Sequence, residues 1–176
     1  FLKFPEGDKN IIISFHTYSP MLLTHYKAEW TPLRIYEGPV NYPGAIITQE
    51  ALVQLKADLR GAGAGDENAD EFAEVWGPER LYMVYAPAIK RARELGLQLY
   101  CGEFGSMPTP PREARLAYYR DIIGVFEANG IAWANWEYKG DFGIFEWHGP
   151  SGTIGAPDME MIDALMGGAC KCEETK

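Results

Sequence analysis

Cysteine, histidine and positive charge are all scarce in this chain. Only three cysteines (Cys101, Cys170, Cys172) and three histidines stand among its 176 residues, and no Cys-x-x-Cys or His-rich spacing supports a zinc site. An odd number of cysteines cannot all pair within one chain, and Cys101, inside an apolar run, reads as a small buried side chain. The 16 Lys and Arg against 25 Asp and Glu leave a net charge of −9, which argues against nucleic acid or an anionic membrane as partner, since either needs clustered cations. No apolar run is long enough to span a bilayer, and the first residues lack a signal-peptide pattern. Neither a metal nor a cofactor is expected.

What is present suits one globular domain with a real core: 47% of residues are hydrophobic and 23% charged. Five Trp, ten Tyr and eight Phe supply flat apolar faces with polar tips, compatible with sugar rings and equally with an aromatic core.

The run Leu97 to Gly105 organises the rest. It is short and apolar, follows a helix ending at Gly96, and suits a parallel strand covered on both faces. It runs into Glu103, a carboxylate bracketed by Gly102 and Gly105. Charges at the carboxyl ends of such strands project into the crevice where ligands bind. Ile11 to Phe15 repeats the logic, delivering His16, Thr17, Tyr18 and Ser19 before Pro20; His16 and Tyr18, two apart, share one side of an extended backbone. Ile131 to Trp136 reads as a third strand, ending in Trp136, Glu137, Tyr138 and Lys139.

Between the strands, Met21 to Ile47 is a long loop whose Trp30, Tyr36 and Tyr42 point to a binding surface. Thr48 caps a helix running to about Arg60. Gly61 to Gly77 is acidic and flexible, with a helical turn near Asp70 to Trp76, and no chemistry is expected there. Pro78 opens a helix ending at Gly96, and Thr109 and Pro110 start another ending at Gly130. A Gly-rich loop follows to Pro157, then a short helix, Asp158 to Leu165, and a frayed tail over 167–176. The result is an α/β chain of alternating strands and helices, whose strand ends converge like those of a (β/α)8 barrel but supply only three of its strands.

The ordered set Ile13-Ser14-Phe15-His16-Thr17-Tyr18-Ser19-Pro20, Thr24-His25, Ala28-Glu29-Trp30, Tyr100-Cys101-Gly102-Glu103-Phe104-Gly105 and Trp133-Ala134-Asn135-Trp136 resembles the last three strand ends of glycoside hydrolase family 5, the cellulase-like barrels. The resemblance implies a partial barrel, residues 1–176 forming its C-terminal portion, and a retaining β-glycosidase of endo-β-1,4-glucanase type acting on a plant-type polysaccharide outside the cell. It implies Glu103 as nucleophile, Tyr18 as the hydroxyl bonded to it, His16 as a ligand of the sugar beside the scissile bond, Trp136 as a stacking platform, and Trp30 and His25 on the sugar-binding surface. Retaining hydrolysis needs a second carboxyl ~5 Å away as acid/base. In this family it sits in an Asn-Glu motif after the fourth strand, and no Asn-Glu pair occurs in these residues. The expected partners are therefore a polysaccharide and either the missing N-terminal half or a second copy. Two other readings stay open: a sugar-binding remnant without turnover, and an esterase using Ser14, Ser19 or Ser106 with His16 and Glu103, against which stands the lack of a Gly-x-Ser-x-Gly elbow.

Overall fold

The computed structural model describes residues 3–5, 7–147 and 154–167. Three strands, β1 (Ile12–His16), β4 (Gln98–Phe104) and β5 (Ala132–Asn135), form one parallel sheet in the order β1-β4-β5. The strand carrying Glu103 is central. Between β1 and β4 lie α1 (Met21–Thr24), α2 (Gln49–Gly61) and α3 (Pro78–Leu95), with a two-residue antiparallel pair, β2 (Gly44–Ala45) and β3 (Val75–Trp76). Helix α4 (Arg112–Ala128) joins β4 to β5; a hairpin of β6 (Phe145–Trp147) and β7 (Ile154–Pro157) and α5 (Met159–Leu165) complete the described chain.

The sheet is covered on one face only. Leu99, Cys101 and Phe104 of β4 turn into the core with Tyr85 of α3 and Tyr119, Ile122 and Phe126 of α4. On the opposite side Ile12 is 64% exposed, and Ser14, His16 and Gln98 are exposed too. This corrects the reading of strands covered on both faces. An apolar run reports that a strand is short and β-prone, but a three-stranded parallel sheet cannot curl closed, so the face that would line a barrel meets solvent.

Several local readings are refined in the same way. Thr48 caps α2, its side chain accepting from the Ala51 amide, a bond of a kind that contributes ~1 kcal/mol. Thr109 does not cap α4; its hydroxyl bonds the Tyr26 carbonyl, and the helix begins after Pro111. Tyr36 and Tyr42, expected on a binding surface, are core residues at 8% and 6% exposure. The Tyr42 hydroxyl reaches Asp121 of α4 at 2.8 Å, a partner 79 residues away that local sequence does not reveal. Of the tail over 167–176, residues 168–176 lie outside the described residues, and with them Cys170 and Cys172.

Arg112 at the start of α4 fastens the last of the described elements. Its guanidinium donates to both Asp158 oxygens at 2.8 and 2.9 Å and to Glu160, while Asp158 also caps α5 through the Met161 amide. The Arg112 bonds hold the Asp158 carboxyl below the usual carboxylate range. A depressed folded pKa means that this stabilisation is fully present above the unfolded value of ~3.9 and is lost as pH falls through the lower folded value. Thermal melts should show wild type losing more stability than Asp158→Asn as pH drops below ~4, with the difference between them constant above about pH 5.

Candidate active site

Strand β4 does not run evenly into Glu103. Its pairing with β1 steps from Phe15 opposite Cys101 to His16 opposite Glu103, a bulge at Gly102. A bulge re-aims the side chain that follows it. Here it turns Glu103 to the open face instead of the core. The Glu103 carbonyl stays in the ladder by accepting from the Thr17 amide at 2.9 Å, so the backbone is anchored while the carboxylate is free to face a ligand.

Three expected residues come together at this point. The Tyr18 hydroxyl donates to Glu103 Oε2 at 3.1 Å, and His16 Nδ1 lies 3.5 Å from the same oxygen. Glu103 Oε1 has no hydrogen-bond partner among the described residues. Tyr18 keeps its proton: burial first, and then the hydrogen bond to Glu103, raise its pKa far above its ordinary value. His16 packs closely over Gly102: a Cβ there would stand 3.0 Å from His16 Nε2 and 3.1 Å from Ser14 Oγ, so both side chains would have to shift.

Tyr18 is itself set by a chain of contacts. Its carbonyl accepts from Thr24 Oγ1 at 2.6 Å, and that hydroxyl also lies 3.0 Å from His25 Nδ1. The His25 ring packs edge-on to Tyr18 and Phe142 at 5.0 and 5.2 Å. His25, expected on the sugar-binding surface, is 7% exposed, and burial lowers its pKa, which keeps it neutral at neutral pH. Its place is under Tyr18. Trp30, 6.2 Å from the His25 ring, is 59% exposed, and Trp136 is 46% exposed. Both are solvent-exposed.

Trp136 is tied to the strand that carries Glu103 by its amide, which donates to the Phe104 carbonyl at 2.7 Å. Its own carbonyl abuts Gly105 so closely that any Cβ there would collide with it. Behind these loops α4 supplies a clamp that sequence inspection missed. Arg115, 5% exposed, donates to the Ser106 and Gly143 carbonyls, and the Tyr119 hydroxyl accepts from the Ser106 amide at 2.8 Å. A lone Arg in an otherwise apolar helix stripe was the available signal. Cys101 is not a nucleophile: burial pushes its thiol up to about 12, and it donates to the Glu103 carbonyl. Among the described residues no cluster of His, Cys, Asp and Glu could hold a metal ion.

A family model, cellulase (glycosyl hydrolase family 5), matches residues 1–141. The chain belongs to glycosyl hydrolase family 5. Endoglucanase C of Acetivibrio thermocellus is 32% identical over 140 residues, covering 78% of this chain and 39% of the relative. Cellodextrinase A of Ruminococcus flavefaciens is 29% identical over 132 residues, with 75% and 30% covered. Among solved structures, the clostridial cellulose synthase subunit Z from Clostridioides difficile superposes with a TM-score of 0.63 at 21% identity, over 94% of this chain and 43% of that one. Cel5A of Thermotoga maritima, solved with mannotriose, gives 0.58 at 20% identity, over 93% and 42%. This family 5 chain folds as part of a (β/α)8 barrel and spans 30–43% of the length of these four proteins. No helix of the described residues is long and apolar enough to cross a membrane.

Proposed function

We propose that this chain is the nucleophile-bearing portion of an extracellular retaining endo-β-1,4-glucanase, contributing the last three strand-helix units of its barrel. The observation that carries the reading is Glu103 Oε2 held by Tyr18 while Oε1 stays open on the exposed sheet face. That oxygen attacks the anomeric carbon, forming the glycosyl-enzyme ester as the bond to the leaving oxygen breaks; the leaving oxygen takes a proton from the acid, and water then releases the sugar. His16 stands beside the reacting carbon, and Trp136 and Trp30 present faces on which sugar rings stack. Glu137 lies near enough to raise the Tyr18 pKa slightly, but it follows the stacking Trp136 and not the position of the missing acid. The acid/base comes from the preceding barrel half.

An esterase built from the same residues has less support. The Ser106 hydroxyl is buried and donates to the Met107 carbonyl, and neither Ser14 nor Ser19 hydrogen-bonds His16 among the described residues. A sugar-binding remnant would use the same surface without turnover.

The open sheet face, and outer sides of β1 and β5 that pair with no strand among the described residues, make self-sufficiency unfavourable. Light scattering on the isolated chain should give a mass above that of one copy, with little or no glucan cleavage. Adding an acid/base-bearing N-terminal half should restore both a defined complex and cleavage. A stable monomer with full glucanase activity defeats this reading.

A further inference from the structure

The stretch 61–77, in which the sequence suggests no chemistry, forms one wall of a groove that opens beside the candidate nucleophile. Two ion pairs hold that wall in place: Arg60 meets Asp66 at 2.6 Å, and Lys56 meets Asp70 at 2.8 Å. A 3-10 turn, Ala69–Ala73, then buries Ala69 and Phe72 in the core. The facing wall is the turn from Thr31 to Leu33. Between them lies a groove of ≈ 420 Å³ that reaches Tyr18, Ser19 and Met21, a size within the range of small-ligand sites. Tyr18 belongs to both places, since it lines the groove and its hydroxyl bonds Glu103.

The lining combines an apolar floor with a polar rim. Leu33, Leu59 and Phe72 are buried beneath it, while Ser19, Asn68 and Glu71 carry its hydrogen-bonding groups. The four nearby carboxylates are not equivalent. Asp66 and Asp70 are committed to their cations, and the Glu67 carboxylate folds back over Gly65. Glu71 is half-buried and makes no side-chain hydrogen bond among the described residues. Its partial burial raises its pKa against the pull of Arg80, so this desolvated carboxylate gains from a hydroxyl donor. A cluster of acidic groups repels sulfated or uronate sugars, which leaves neutral sugars with their many hydroxyls.

We propose that this groove is a subsite for a neutral sugar unit of the substrate, with Glu71 accepting from its hydroxyls and Asn68 closing over its rim. The inference rests on the saccharide-cleft reading of the Glu103 site and extends it past Tyr18. A linear saccharide seated at Glu103 then reaches the groove only when it is long enough.

Calorimetric titration of the chain with β-1,4-linked glucose oligomers of two to six units tests this. Three variants serve: Glu71→Gln, Asn68→Trp, which fills the groove from an exposed position, and Trp136→Ala. Circular dichroism melts check that each is folded. The expected result is that wild type binds the long oligomers more tightly than the disaccharide, and that Glu71→Gln and Asn68→Trp weaken long-oligomer binding about tenfold while leaving the disaccharide unchanged. Trp136→Ala should weaken all lengths. If the two groove variants bind every length as wild type does while Trp136→Ala weakens them all, the subsite is overturned and the cleft reading stands. If wild type binds none of the oligomers, both fall.

Discussion

Replacing Glu103 by Gln in the assembled barrel should lower glucan turnover by about 10³-fold or more while leaving saccharide affinity within a few-fold of wild type. Gln has the same shape, and its carbonyl oxygen can still accept from Tyr18 at the 3.1 Å position, so the pocket is kept. What is lost is the charge and the open oxygen. A neutral amide does not displace a glycosidic oxygen, so the loss should appear in kcat with KM little changed, the pattern of a group that acts in the transition state. Equal losses in binding and turnover would make Glu103 a substrate ligand and no more.

Gly105→Ala should be the most damaging small substitution near the site. Any Cβ at this position collides with the Trp136 carbonyl, which is backbone and cannot rotate away as a side chain would. The strand end of β5 must shift, pulling on the Trp136 amide bond to Phe104. Overpacking of this kind costs about 1–3 kcal/mol. Because the displaced group carries the Trp136 indole, the proposed stacking platform, oligosaccharide affinity should fall together with the melting temperature. Ser106→Ala, one residue on, removes a hydroxyl bonded to the Met107 carbonyl and should lower stability less while sparing affinity. If Gly105→Ala leaves both quantities unchanged, the two strand ends are not in the contact described.

Much of this arrangement was legible in the sequence, and the gaps have physical reasons. The Glu103, Tyr18 and His16 grouping could be read because strand ends in alternating α/β chains point their last residues to one face. The bulge at Gly102 could not. It depends on the register between β1 and β4, a long-range property, though Gly102 between Cys101 and Glu103 marked a place where one was possible. Tyr36, Tyr42 and His25 were misplaced for a common reason. An aromatic or imidazole ring fits surface and core equally well, and only partners distant in sequence decide between them; for Tyr42 the partner is Asp121. The pair β2 and β3 and the hairpin of β6 and β7 are two to four residues per strand, too short for an alternating pattern to register. Stretch 61–77 looked inert because its glycines and acidic residues interrupt any apolar period. Its shape comes from pairing with Lys56 and Arg60 on α2, which composition does not show.

The most direct test of Glu103 separates the proposed attack from the proton donation that glycoside cleavage also needs. A glycoside with a fluorine at C2 and an activated leaving group such as fluoride needs no proton donor to depart, and the C2 fluorine slows hydrolysis of the ester that forms. Incubating the chain with such a β-glucoside or cellobioside and mapping the product by mass spectrometry should find the sugar bonded to the peptide containing Glu103, and no adduct on Glu103→Gln. An adduct on Glu137 or another carboxylate, or binding of the reagent without any adduct, would contradict the assignment of Glu103 as nucleophile.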